Sequence, residues 1–467
     1  MDLTLAADAD RIPALLDTVR DHAGRVLAGL ADRPAAGSPR QGPARPLPEH
    51  GIGTERALAE FAARWEPGFS ASAGPRYLGF VTGGATPAAV AGDWLATAHD
   101  QNVAATHDSS ATDLERETLR WLGELLDLGT AHSGAFVTGA TMSNLVGLAI
   151  GREWLGERAG ISVAEDGAAA LGPVPILSGA AHSSVFKALA MLGLGRKNLR
   201  TIPTLDGREA VDPDRLAEAL DALDGRPAIV VANAGTVNTV DFDDLRAVAA
   251  LRERYPFWLH VDGAFGAFAA LSPAHEHLVA GLAEADSVCV DLHKWLNVPY
   301  DSAAQFTRRK DLQLRVFQNA AAYLGVPADD PAFVHLTPEN SRRLRALPAW
   351  FALAAYGRQG HREIVERDIA LARRLGQRIE ELPGLRLLAP VRLNVVCFTL
   401  AENPTPERVN ALAEVIAADG RAFLTPTEYD GTRALRAAFS NWRTTEADVE
   451  RIAEAIADAA RAVPPSR

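Results

Sequence analysis

Two short apolar runs, each ending at a charged residue, constrain this chain more than any other feature. Phe257-Trp258-Leu259-His260-Val261-Asp262 is followed by Gly263-Ala264-Phe265-Gly266, and Ser287-Val288-Cys289-Val290-Asp291 by Leu292-His293-Lys294-Trp295. Runs of this length, rich in β-branched and aromatic residues, read as buried strands. Asp262 and Lys294 stand 294 − 262 = 32 residues apart, one strand–helix–strand step of an α/β sheet. Ligands of such sheets sit at the carboxyl ends of the strands. A lysine there beside a carboxylate suits an imine-forming site, in particular one that holds pyridoxal phosphate (PLP). The same pair also suits an ordinary salt bridge at a sheet edge.

Around these runs, strands and helices alternate. Residues 134–138, 175–178 and 228–233 read as strands, and 142–154, 183–192 and 244–254 as helices, which predicts a mainly parallel sheet with helices on both faces. Before them come an amphipathic stretch near Ile12, Leu15, Leu16 and Val19, a Pro- and Gly-rich connector over 33–48, and a helix from Glu55 to Trp65. After them a long helical stretch, Pro348 to Leu382, is expected to break at Gly357 to Gly360, and strands at 385–388, 393–400 and 434–439 alternate with helices at 405–418 and 445–462. Three units are therefore expected: an N-terminal helical arm over 1–80 that packs on the rest or on a second subunit, a large α/β domain over 81–345, and a small α+β domain over 346–467.

Bulk numbers narrow the function class. With 467 residues, 48% hydrophobic and 23% charged, the chain has the composition of a globular enzyme. A net charge of −12 argues against nucleic acid or an anionic membrane as partner. No apolar run approaches the roughly 18 residues of a membrane span, and the first residues resemble no export signal, so a cytoplasmic protein is expected. Cys289 and Cys397, the two cysteines, lie in apolar runs and read as packing residues.

Other polar clusters fall at strand-to-helix turns. Thr138-Gly139-Ala140-Thr141-Met142-Ser143-Asn144 offers backbone N–H groups at a helix start, suited to phosphate or to simple capping. Ala181-His182-Ser183-Ser184 places a histidine where it can stack on a flat ring, act as acid or base, or cap a helix. Ala234-Gly235-Thr236 through Thr239 brings another polar loop to the same edge, while Asp243 and Asp244 read as helix-capping residues. His275-Glu276-His277 lacks zinc-binding spacing, and no Walker, dinucleotide, Cys-x-x-Cys or Gly-x-Ser-x-Gly pattern supports a metal or another catalytic class.

The order of these blocks, from Thr138–Asn144 through Ala181–Ser184, Gly235-Thr236 and His260–Ala264 to His293-Lys294-Trp295, resembles the group II PLP-dependent amino-acid decarboxylases, from about Arg76 to Asp448. That family includes aromatic-L-amino-acid, tyrosine, histidine and glutamate decarboxylases. The resemblance implies the fold-type-I, aspartate-aminotransferase-like architecture and decarboxylation of an L-amino acid to the amine and CO2. It implies that Lys294 carries PLP as an imine and that Asp262 pairs with the ring nitrogen. His182 and Ala264 would cover the two ring faces, with Ala140, Thr141 and His293 about the phosphate and Thr236 also at the cofactor. Phe80, Thr82, Phe333, His335 and Arg436 are the implied substrate contacts, in a homodimer with shared active sites. Arg436 suits either a carboxylate or a brace within the small domain.

Two departures bear on the chemistry. Asp291-Leu292 stands where the family often has Asn-Pro, so Asp291 should point away from the phosphate or pair with a base. Counting back from Trp350 places Phe333 where aromatic-amino-acid decarboxylases carry a loop tyrosine thought to protonate the reacting carbon, and phenylalanine donates no proton. Tyr323 and His335 are nearby alternatives. A Tyr-to-Phe change there is associated with oxidative decarboxylation–deamination, so aldehyde synthesis stays open, as do transamination, carbon–carbon lysis and a non-catalytic PLP-binding role.

Overall fold

The computed structural model describes residues 1–38, 44–104, 109–319 and 331–463. A seven-stranded sheet runs in the order β1-β7-β6-β5-β4-β2-β3, from β1 (Ser133–Val137), β2 (Ile176–Ser178), β3 (Leu199–Thr201), β4 (Ala228–Asn233), β5 (Phe257–Asp262), β6 (Ser287–Asp291) and β7 (Ala303–Thr307). Six strands point one way, and β7 alone runs antiparallel to both its neighbours, β1 and β6. The mainly parallel sheet expected from the alternation is present; β3 and the reversed β7 are additions to it. Register pairs Asn233 with Asp262 and Asp262 with Cys289, so the polar ends of β4, β5 and β6 share one edge.

The helix Ala140–Ala159 crosses the sheet against β5 and β6. Small residues on its inner face allow a close approach: a Cβ built on Gly147 would lie 2.7 Å from the His260 ring. A four-stranded antiparallel sheet, in the order β10-β11-β9-β8, comprises β8 (Leu385–Leu387), β9 (Val395–Leu400), β10 (Thr425–Tyr429) and β11 (Thr432–Ala438). The helices Pro406–Asp419 and Glu446–Ala462 pack on this second sheet, making the smaller α+β unit. The long helix, Ala346–Glu381, is interrupted at Gly357 (φ 55°, ψ −171°), as its sequence predicts. Its first part, through Ile369, belongs to the core of the large sheet and its last turns, from Leu371 to Ile379, to that of the small one.

Two ties lock distant segments. Arg76–Gly83 threads between the units: Leu78 donates to the Phe423 carbonyl at 2.9 Å, and Gly83 to the His293 carbonyl at 3.1 Å. At Gly83 a Cβ would fall 1.7 Å from the Lys294 carbonyl oxygen, so only glycine lets the strap pass. The second tie is a buried ion pair. Arg342 reaches Glu115 at 2.8 Å and also donates to the Phe136 and Val103 carbonyls, with both charged side chains fully enclosed. Among the described residues no helix is long and apolar enough to cross a membrane.

Removing one partner of an enclosed pair leaves an uncompensated charge. Glu115→Ala is expected to lower unfolding free energy by roughly 3–5 kcal/mol, measured by urea denaturation.

Candidate active site

A cavity of about 230 Å³ opens at the carboxyl ends of β4 to β6, closed on its far side by the small unit. Lys294, Asp262, His182, Ala264, Thr236, Ala140, His293, Phe80 and Arg436 line it, nine of the residues expected from sequence. Sequence reasoning missed Asn233, Phe265 and Tyr300 on the same walls.

Lys294 sits on a single helical turn, Leu292–Trp295, directly after β6. Its Nζ lies 3.4 Å from Asp291 Oδ2 and 5.5 Å from the centre of the Phe265 ring. Asp291 therefore pairs with a base, one of the two outcomes its position predicts. Its Oδ1 is 3.1 Å from His293 Nδ1, but the angles do not make a hydrogen bond, and both buried atoms lack a hydrogen-bond partner among the described residues. The His293 ring stacks 4.2 Å from Tyr300, and its Cε1 would be 3.6 Å from a Cβ on Gly139. Gly139 begins the 20-residue helix Ala140–Ala159 with no side-chain cap. The first-turn N–H groups of Ala140 and Thr141 thus sit beside an orphaned imidazole nitrogen, a setting made for an anion. Thr141 itself does not line the cavity.

Asp262 is 6% exposed and hydrogen-bonded at both oxygens, by Asn144 Nδ2 at 2.9 Å and the Ala264 amide at 3.2 Å. Asn144 also meets His260 at 2.8 Å and Ser184 at 3.0 Å. Burial drives the His260 imidazole down to about 4, against a smaller upward pull from Asp262. His182 caps its own helix, Ser183–Met191, accepting the Ser184 amide at Nδ1. Burial lowers its pKa as well, opposed by the Asp262 charge and reinforced by Lys294 and Arg436.

Buried polar braces fix the remaining walls. Arg436 donates to the Val237 carbonyl at 2.7 Å and the Phe80 carbonyl at 3.2 Å, so it ties the small unit to the loop after β4 and to the strap rather than bracing the small unit internally. Desolvation lowers its pKa. Glu209 gathers the loop after β4, accepting from Thr236 Oγ1 at 2.6 Å and from Thr239 and Asn238. The Thr236 hydroxyl is thereby turned toward Glu209. Phe80, 59% exposed, adopts a left-handed φ of 59° held by Arg436 and Thr425. Thr82 is buried and lies 3.2 Å from the Tyr300 hydroxyl, next to the cavity. Asp244 caps the helix Leu245–Ala250 as expected, whereas Asp243 does not: it turns inward to accept from Val211 and Asn233, and burial pushes it up to about 6.

The structure does not bring Phe333 and His335 to the Lys294 cavity of their own chain. Phe333 is 3% exposed, with its ring under the Arg342 guanidinium at 5.0 Å, and it borders a separate hollow with Arg116 and His132. His335 is buried and accepts the Asn319 amide at 3.0 Å. Within the chain, packing of the aromatic ring against a buried cation holds Phe333 in this place. Tyr323 lies outside the described residues.

A histidine held neutral to about 4 against 6.5 unfolded favours the fold fully above pH 6.5 and progressively less as pH falls to 4. Denaturant titrations from pH 6.5 to 4 should therefore lose less stability in His260→Gln than in the wild type, by up to roughly 3 kcal/mol.

Comparison with known proteins agrees with this arrangement. The model of the pyridoxal-dependent decarboxylase conserved domain matches residues 45–401. An aromatic-L-amino-acid decarboxylase of Bacillus atrophaeus is 29% identical over 394 residues, 81% of this chain and 79% of that protein. One from Sus scrofa is 30% identical over 344 residues, covering 70% of each. The crystal structure of Oryza sativa TDC with PLP and tryptamine superposes with a TM-score of 0.89 at 26% identity, over 97% of this chain and 98% of that one. With the lysine, the buried carboxylate and the open helix start gathered on one cavity, the chain belongs to the pyridoxal-dependent decarboxylases.

Proposed function

We propose that this decarboxylase acts on an aromatic L-amino acid, releasing the amine and CO2. The carrying observation is that Lys294 and Asp262 face one cavity whose rim carries the half-exposed rings of Phe80 and Tyr300, each 59% accessible. The Bacillus and Sus scrofa relatives, named for aromatic substrates, support the same choice. Arg436, already engaged by two carbonyls, offers little to an acidic side chain.

The residues present fit the cofactor. Lys294 Nζ would hold it covalently, Asp262 would face its ring nitrogen, and His182 and Ala264 would flank the ring. The Ala140 and Thr141 amides, at the uncapped helix start beside the His293 ring, would hold the phosphate. When bound, PLP supplies a ring that accepts the electron pair left as the carboxylate departs. The protein's part is positional. Asp262, an acceptor on both oxygens, keeps a proton at the ring nitrogen. His182, kept neutral by burial, flanks the ring without adding charge. Phe80 and Tyr300 would orient an aromatic side chain, and with it the carboxylate. The oxidative alternative rests on Phe333, which within its own chain packs under Arg342.

We also assign the N-terminal arm to contact with a second copy. The helices Leu3–Ala9 and Thr54–Arg64 bury no residue in the single chain, and Leu3, Leu5, Ile12, Leu16, Trp65 and Phe69 stand exposed. That much apolar surface on one segment marks an association face.

A panel of L-amino acids assayed for amine, CO2, aldehyde and peroxide tests the reaction: amine and CO2 in equal amounts from an aromatic substrate are expected, and aldehyde with peroxide would refute the simple decarboxylase. Lys294→Ala should abolish the borohydride-fixable visible band and lower turnover by at least about 100-fold. Light scattering should give twice the 49.7 kDa of one chain, and Ile12→Glu with Leu16→Glu should halve it.

A further inference from the structure

We infer that Asn144 is a positioning residue for Asp262 and His182 together, the branch point of a buried hydrogen-bond chain in which every proton has one allowed place. The inference rests on the cofactor reading above, because those two side chains are the ones assigned to the ring. It concerns residues that stand in the sequence motifs without an expected role: Asn144, His260, Ser287, Trp258 and Ser184.

The chain can be read from either end. At one end stands the Trp258 indole, which can only donate, 3.0 Å from Ser287 Oγ. Ser287 Oγ accepts there and lies 2.7 Å from His260 Nδ1, to which it can donate or from which it can accept. At the other end stands the Asp262 carboxylate, which can only accept, 2.9 Å from Asn144 Nδ2. That sets the amide: nitrogen toward Asp262 and Ser184, oxygen toward His260 Nε2 at 2.8 Å. An amide oxygen there requires the imidazole hydrogen on Nε2, leaving a lone pair on Nδ1, which is what the Ser287 hydrogen needs. The Asp262 end thus sets the tautomer of His260, and Ser287, with a hydrogen free to give, completes it.

The branch carries this polarity to the second target. The Ser184 backbone amide donates to His182 Nδ1 from 3.3 Å, which requires a lone pair there, so the Ser184 hydroxyl, accepting from Asn144, gives its hydrogen to the same nitrogen at 2.8 Å. His182 therefore carries its ring proton on Nε2. One side chain thus fixes the plane of the carboxylate and holds the hydroxyl that meets the histidine. An aspartate at position 144 would set two carboxylates within 3 Å of each other, and an apolar residue would leave His260 and Asp262 each short of a partner in a dry interior.

A purely structural network would cement the helix Ala140–Ala159 to β5 without touching the cofactor, and the test separates the two. Neutron diffraction from apo and PLP-loaded protein at pH 7 should show deuterium on Nε2 and none on Nδ1 of both His260 and His182. Deuterium on Nδ1 of His260, or on both its nitrogens, overturns the chain. The isosteric Asn144→Asp is expected to unfold cooperatively, to retain PLP about tenfold or more weakly, as loss of a hydrogen bond to a charged group implies, and to shift the pH profile of the visible absorbance. Should that variant not fold, Ser184→Ala removes only the branch and should still shift the absorbance pH profile. Wild-type PLP retention and pH profile in Asn144→Asp, or a wild-type profile in Ser184→Ala where it stands in, overturns the positioning role. If the protein takes up no PLP, the cofactor reading fails, while the apo tautomers still decide the chain.

Discussion

A carboxylate withdrawn from water must be met by donors, and much of this structure follows from meeting that need at Asp262. Its two partners, Asn144 and the Ala264 amide, come from different elements. One is the helix that leaves β1; the other is the turn that leaves β5. For Asn144 to reach it, the helix must lie almost on the sheet, hence the absence of a side chain at Gly147, where a Cβ would strike the His260 ring. Sheet register, helix position and a single glycine are thus consequences of one buried charge. The same helix leaves its uncapped start beside His293, so a single element supplies both a donor to Asp262 and a place for an anion.

Charge within the cavity wall is managed differently. Lys294 has Asp291 at 3.4 Å, while Arg436 relies on backbone carbonyls. Glu209 and Asp241 do the equivalent work with opposite sign. Glu209 collects hydroxyls and an amide from the loop after β4, and Asp241 pairs with Arg208 at 2.6 Å. The result is a site built on loops but held as firmly as if it stood on strands, which is what positioning a reactive group requires.

Much of this was legible in the residue order. The strands ending at Asn233, Asp262 and Asp291 announced themselves as uninterrupted apolar runs, and Gly357 marked the break in the long helix. Strand β7 did not: Ala303-Ala304-Gln305-Phe306-Thr307 has a buried glutamine at its centre and no apolar run to advertise it. At the site, Lys294, Asp262 and His182 could be found because their spacing repeats a pattern. Asn144, Glu209 and Tyr300 could not, since each matters through partners up to 218 residues away, and an isolated polar residue carries no sign of what it will meet. Phe333 shows the opposite limit. A position counted along a loop is a statement about length, and it does not tell that within its own chain the ring lies under a buried guanidinium.

The strap from Arg76 to Gly83 has a consequence for how the molecule comes into being. It is synthesised before all of its partners, which are Phe423, Ala438 and the Arg436 guanidinium on one side and His293 on the other. A growing chain cannot seat the strap until residues near its far end have left the ribosome, and closing so long a loop is slow because the entropy is spent before any contact forms. The large sheet can assemble earlier, with Lys294 already at its edge. Until the small unit docks, that lysine stands in an open groove, so the cavity is finished last, by the end of the chain closing over its beginning.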